Sequence, residues 1–511
     1  MIKKNLFANF VGQGWRILLQ MVFIPVYIKY LGMEAYGLIG FYIMLQAWFV
    51  ILDMGISTTT SREMALSKSG AHSSHSIRDL LRTIEIIGYG ISLVIVLSII
   101  NASDWIVNDW LKFETLPLEE VKDVFIFIGA IIALHNIEGI YRGSLIGLQR
   151  QVALNLINII SGTLRGLGAA LIIIYISPTI YAFFLWQLFM SLIHVFLLAV
   201  FTYINLERIE RLARFSFKAF LNVWRFAGGV FLISIISMMN LQIDKVVVSK
   251  YVSLSEFGAY TLAVTMAWLV LVFVKPVKQA FYPKLVEYHT KSDSYNFNIS
   301  FHKASQIITL LVSVVSIMMI FFSENFLILW LQDPQLVNDI KYVMIILIVG
   351  NLCNAFGHMP MQALLAFGSP AYVVIVGSIT SLITVILIIY LVPIYGILGA
   401  ASVWTTVSFC SLVIAPYFIF KKALIGQIYE WYVQDLIVPF FVVFITIGGA
   451  KFISNYFFLM NIYTESLFVI ILTILSISLG AFFSSRLRNH LITNVRALNK
   501  RIKSFKLYGK N

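Results

Sequence analysis

Apolar runs of about 20 residues recur from one end of this chain to the other, and that is the length needed to cross a bilayer core of about 30 Å. The chain has 511 residues, of which 60% are hydrophobic and 12% charged. A water-soluble fold of that make-up lacks the polar exterior it needs. Reading the runs between polar breaks predicts fourteen helices, over 5–29, 37–58, 80–100, 121–141, 152–176, 179–204, 223–250, 258–281, 302–322, 340–366, 370–391, 394–420, 433–454 and 465–485. The expected fold is an all-α polytopic membrane protein. The first run follows Lys3 and Lys4 but is too long for a signal peptide, contains Arg16 and lacks a small-residue cleavage site, so it reads as a membrane helix.

The basic residues set the expected orientation, because cytoplasmic loops concentrate Lys and Arg. With a cytoplasmic N-terminus, 28 of the 37 Lys and Arg fall in inside connections and six in outside ones. Both termini are then cytoplasmic and the helix count is even. The net charge of +13 collects on one membrane side, which argues against nucleic acid as a partner and for membrane lipids. The longest outside connection, 101–120, carries Trp105 and Trp110 at the expected interface. Cys353 and Cys410 lie in apolar segments, offer no disulfide framework and no metal spacing, and read as packing residues.

One phrase occurs twice. Tyr30–Tyr42 reads YLGMEAYGLIGFY, and Tyr251–Ala263 reads YVSLSEFGAYTLA. At a constant offset of 221, Lys29-Tyr30 falls on Lys250-Tyr251, Tyr36-Gly37 on Phe257-Gly258, and Gly147 on Gly368. The chain therefore divides into an N-terminal six-helix lobe over 1–206, a second over 207–422, two additional helices over 423–485 and a basic cytoplasmic tail over 486–511. Six is even, so both copies enter from the same side, as in parallel-repeat transporters. Within the phrase, Gly32 suits a helix C-terminus, Glu34 the start of the next helix, Tyr30 and Tyr36 an aromatic belt, and Gly37 close helix packing.

YIKYLGMEAYGLIGFY followed by ILDMGISTTTSREMA (Ile51–Ala65), with GSLIGLQRQ (Gly143–Gln151) and QIDKVVVSKYVSLSEFGAY (Gln242–Tyr260), resembles the polysaccharide flippases of the multidrug/oligosaccharidyl-lipid/polysaccharide exporter superfamily. The resemblance extends over nearly the whole chain. It implies two six-helix lobes around a central cavity in the bacterial cytoplasmic membrane. The implied cargo is an undecaprenyl-pyrophosphate-linked oligosaccharide for O-antigen, capsule or exopolysaccharide synthesis, with a glycan polymerase and a chain-length regulator as partners.

Ionisable groups at mid-bilayer are costly and normally face a protein interior or a watery cavity. Arg16 and Arg165 sit near mid-depth and are expected to line the cavity and attract pyrophosphate, whose oxygens match a guanidinium fork. Lys275 and Lys278, flanking Pro276, are positive-inside anchors that also stand as head-group contacts. Asp53, Glu138, Asp244, His135, His194 and His358 are candidates for coupling to H+ or Na+ or for gating. Each has a plainer structural alternative: a hydrogen-bonded carboxylate or histidine, and for Glu138 an ion pair with Arg142 four residues on. No cofactor and no metal is expected. Nucleotide motifs and a nucleophile constellation are absent, so an ATP-driven pump or an enzyme is disfavoured. A cation-coupled drug or metabolite antiporter of the same superfamily and a peptidoglycan-precursor flippase remain open alternatives.

Overall fold

The computed structural model describes residues 2–488 apart from 54, 69–72, 208–210, 212, 218–220, 222–234, 236–237, 240 and 458–461. The predicted helix over 223–250 lies largely outside the described residues up to 240, as do the tail from 489 onward and the side chain of Asp53. Among the described residues there is no strand. Among the described residues, eleven stretches are long and apolar enough to cross a membrane. The longest, Ala371–Lys422, holds two predicted helices, because Gly396 breaks it with non-helical angles of φ 55° and ψ −136°. Leu467–Phe483 adds a shorter apolar helix. The chain forms two compact units, Met1–Thr261 and Leu262–Asn511.

In the first unit, α1 (Ile2–Leu31), α2 (Met33–Phe49), α3 (Ile56–Lys68), α4 (Ser74–Trp105), α5 (Leu118–Gly147), α6 (Gln151–Tyr175) and α7 (Ile180–Ile204) follow one another. The central helix is α5, which packs against α3, α4 and α7, while α6 packs against α1 and α7. The single helix expected over 37–58 is interrupted. A 3-10 turn at Val50–Asp53 and Gly55 at φ 72° separate α2 from α3. The second phrase opens α8 (Leu254–Trp268), and a 3-10 turn at Leu269–Phe273 again interrupts the helix expected over 258–281. The second turn is wholly apolar and the first is apolar up to Asp53, so hydropathy alone does not reveal them.

The two copies of the phrase pack on each other inside the first unit. A Cβ on Gly37 would lie 2.0 Å from the carbonyl oxygen of Leu254, and one on Gly258 would lie 2.7 Å from that of Met33. Met33 and Leu254 are themselves 221 apart, so the contact is reciprocal, and only a missing side chain at both positions allows it. The carboxylate of Glu34 does more than favour a helix start: it accepts the backbone N–H of Glu114 at 2.5 Å and of Thr115 at 2.8 Å. Tyr30 is exposed, whereas Tyr36 is buried rather than placed for a belt. The segment expected as an outer loop is partly helical. A π-helical turn, Ile106–Trp110, extends α4, and Trp110 donates to Ser249 Oγ at 3.0 Å while exposed Trp105 packs on its ring.

The second unit continues with α9 (Val274–Thr290), α10 (Ser294–Phe321), α11 (Ser323–Leu331), α12 (Pro334–Ala366) and α13 (Pro370–Lys422). A π-helical segment, Trp431–Ile437, then leads into α14 (Val438–Phe457), and α15 (Ile462–Phe483) follows. The helix α10 is central here, packed against α9, α12 and α14. Cys353 is buried as expected, but Cys410 is exposed and is not a core residue.

Candidate functional site

Glycines bring α3 and α5 together. A Cβ on Gly143 would lie 2.3 Å from the carbonyl oxygen of Ser57, and one on Gly147 would lie 2.3 Å from that of Ser61. One turn before Gly143 comes Gly139, so α5 presents a small-residue seam on which the α2–α3 break settles. The result is a cleft of about 340 Å³, lined among others by Gln46, Ser57, His135, Asn136 and Arg142.

Behind the cleft, Glu138 is the focus. Its carboxylate accepts from Arg142 Nη1 at 3.2 Å, meets His135 Nδ1 at 2.9 Å and lies 3.7 Å from His194 Nδ1 of α7. The expected ion pair with Arg142 is therefore present. The Glu138 side chain is only 11% exposed, while Arg142 at 38% reaches outward. On its other side, His194 Nε2 lies 3.1 Å from Asn158 Oδ1 of α6. One turn earlier on α7, Ser191 Oγ accepts from Arg165 Nη2 at 3.1 Å. The Nε of Arg165 is buried without a hydrogen-bond partner among the described residues.

Three of the sequence candidates, His135, Glu138 and His194, thus converge, and Arg165 stands one helical turn away through Ser191. Asn158, Ser191 and the lining residues Gln46 and Ser57 carry no charge and gave no sequence signal. Arg16 is exposed on α1, with no ion pair or hydrogen bond among the described residues. Asp244 accepts a 2.7 Å hydrogen bond from Tyr260, and its neighbour Lys245 is buried against Gln242. In the second unit, Lys275 is exposed, and half-buried Lys278 acts electrostatically on half-buried His358. Among the described residues no group of three His, Cys, Asp or Glu converges to hold a metal ion.

Residues 2–289 match the polysaccharide biosynthesis protein family. The chain belongs to that family. A relative in Shigella flexneri, named "Putative O-antigen transporter", is 22% identical over 410 residues, covering 79% of this chain and 94% of that protein. Among solved structures, the lipid II flippase MurJ in an inward closed conformation covers 96% of this chain and 99% of its own, with a TM-score of 0.71 at 16% identity. An inward-facing multidrug resistance transporter of the MATE family and MOP superfamily covers 80% of this chain and 96% of its own, with a TM-score of 0.66 at 14% identity. At these identities the likeness establishes the fold. This polysaccharide biosynthesis family member is a multi-pass membrane protein that shares the fold of these two solved structures.

Proposed function

We propose that the chain carries undecaprenyl-pyrophosphate-linked oligosaccharide repeat units from the cytoplasmic to the outer leaflet of the bacterial inner membrane by alternating access. Family membership and the likeness to an O-antigen transporter support this reading. The observation that carries it is Arg165, whose guanidinium is held by Ser191 and keeps a buried donor free in the middle of α6. Arg16, Lys275 and Lys278 are further cations offered to the pyrophosphate, and His135, Glu138 and His194 form a proton- or Na+-responsive neighbourhood of Arg165. Both termini are cytoplasmic in this reading, the two six-helix repeats end near 206 and 422, and a glycan polymerase and a chain-length regulator take over the delivered unit.

Deleting the gene and analysing lipid-linked intermediates tests it. Complete repeat units then accumulate on the cytoplasmic face. Arg165→Ala lowers surface glycan by about tenfold or more, since a charge-assisted hydrogen bond contributes about 1.5–3 kcal/mol, and Arg165→Lys restores part of it. Normal surface glycan in the deletion strain overturns the proposal. A second reading has its own support, because the MurJ likeness spans nearly the whole chain. Rescue of a strain depleted of its lipid II flippase would reassign the cargo to the peptidoglycan precursor.

A further inference from the structure

The second unit encloses a polar assembly of its own. His302 of α10 and Asp435 of the π-helical segment are both 0% exposed. Gln306, one turn beyond His302, fixes the geometry. Its Oε1 accepts the backbone N–H groups of Arg486 at 3.1 Å and Leu487 at 3.4 Å, which turns its amide nitrogen onto Asp435 Oδ1 at 2.9 Å. Asp435 Oδ2 is left to His302 Nδ1, 2.5 Å away. The other ring nitrogen, Nε2, lies 3.0 Å from Gln427 Oε1 and 3.9 Å from the Glu430 carboxylate.

Both ring nitrogens of His302 therefore face oxygen acceptors, and each is placed to carry a hydrogen. Further charged groups near the pair among the described residues have their own interactions. Glu430 is bound by Arg486 Nη2 at 2.8 Å, and Lys303, next to His302, acts on Lys284 of α9. Phe301 beside His302 packs on Phe420 of α13, and Phe420 packs on buried Trp431. With an imidazolium, the set His302, Asp435, Glu430 and Arg486 is neutral. Without that proton it carries one buried negative charge in excess, and an uncompensated buried charge is strongly destabilising.

We infer that His302 and Asp435 form a proton-binding site that, when loaded, fastens the segments 427–437 and 485–488 to α10, and when emptied releases them. The ligand is a proton. The site stands on the geometry alone; only its use, coupling transport to a proton, rests on the transport reading above.

The full-length protein, ¹⁵N-labelled at its eight histidines and held in lipid nanodiscs, tests it by nitrogen NMR, with His302→Gln identifying the signal. At about pH 7.5, where an unperturbed histidine is neutral, both ring nitrogens of His302 are protonated. A neutral ring there overturns the site. Asp435→Asn leaves a singly protonated ring. Should that variant fold poorly, Glu430→Gln serves instead, and it lowers the pH at which His302 loses its proton; no change overturns the assignment of acceptors. Hydrogen exchange over 427–437, corrected for intrinsic rate, then rises by about tenfold as His302 deprotonates in the parent and stays level in His302→Gln. A level trace in the parent overturns the release step. Neither readout uses cargo, so these outcomes are separate from failure of the flippase proposal.

Discussion

Glu85 on α4 and Gln306 on α10 fall on each other at the offset of 221 that relates the two phrases. Both are fully buried, yet different parts of the chain satisfy them. Glu85 is served from α4, α5 and α7: Oε1 accepts from Tyr141 at 3.0 Å and Tyr203 at 2.7 Å, and Oε2 from Arg82 at 3.2 Å. Gln306 instead turns to Asp435, Ser485 and the backbone of Arg486 and Leu487, 129 to 181 residues further along the chain. One buried polar position thus ties neighbouring helices of its own stretch together in one place and fastens the segments before α14 and after α15 in the other. A carboxylate suits the first because its neighbours donate hydroxyls and a guanidinium. An amide is required in the second, because it must accept from backbone N–H groups and donate to a carboxylate at the same time.

Exchanging the two residue types breaks the comparison hardest at the second position. Gln306→Glu removes the donor to Asp435 and sets a second carboxylate against it at two fully buried positions. The expected loss is about 3–5 kcal/mol of stability, the range for a broken buried pair, read as a fall in melting temperature of the purified protein and earlier proteolysis of 438–483. Lowering the pH partly restores it, because two close carboxyl groups share a proton. A variant as stable as the parent at neutral pH would remove the attachment role of Gln306.

The converse change is milder. Glu85→Gln keeps an oxygen for Tyr141 and Tyr203, but the amide nitrogen that replaces Oε2 cannot accept from Arg82, whose side chain is 46% exposed, so that one contact is lost. The half-exposed Arg82 can turn to solvent, so the cost is that of about one hydrogen bond, about 0.5–1.5 kcal/mol; the melting temperature falls less than in Gln306→Glu and surface glycan stays near the parent level. A collapse as large as that of Gln306→Glu would show that both positions are equally constrained and that the difference in partners is incidental.

Much of this was legible in the sequence, and what was not has a physical cause. Helix length and apolarity announce the membrane class directly, and the Glu138–Arg142 pair follows from its spacing of four. The reciprocal fit of Gly37 and Gly258 was half visible, as two glycines in equivalent places; the packing of one copy on the other was not. His194 joins Glu138 from 56 positions away, and Asp435 meets His302 from 133 away, separations at which one sequence carries no pairing signal. The second pair was hidden further by hydropathy. Predicted spans over 302–322 and 433–454 put both residues at helix ends, where polar side chains read as interfacial. In the structure α10 begins eight residues earlier, at Ser294, and the π-helical segment precedes α14, so both residues are enclosed. The 3-10 breaks at Val50–Asp53 and Leu269–Phe273 escaped for a related reason, since apolar residues fill them as they fill a helix.

The smallest expected effect comes from a carboxylate–cation contact with the burial taken away. Glu324, in the first turn of α11, is hydrogen-bonded to Lys341 of α12, with side chains 53% and 23% exposed. The Lys341 hydrogen bond holds the Glu324 carboxyl below its usual range. A carboxyl lowered on folding stabilises above its unfolded pKa and loses that contribution as the pH falls through its folded value. Acidification should therefore weaken this contact, the opposite of its effect on Gln306→Glu. Solvent screening keeps the contribution to a fraction of about 1 kcal/mol, and raising salt from about 0.05 M to about 0.5 M removes most of it. Melting curves of parent and Glu324→Gln over pH and salt check this: they separate slightly at low salt above about pH 5 and converge at acid pH or high salt. Curves that separate as widely as those of Gln306→Glu would mean that burial does not set the scale of these contacts, and the contrast between the two copies would then need another cause.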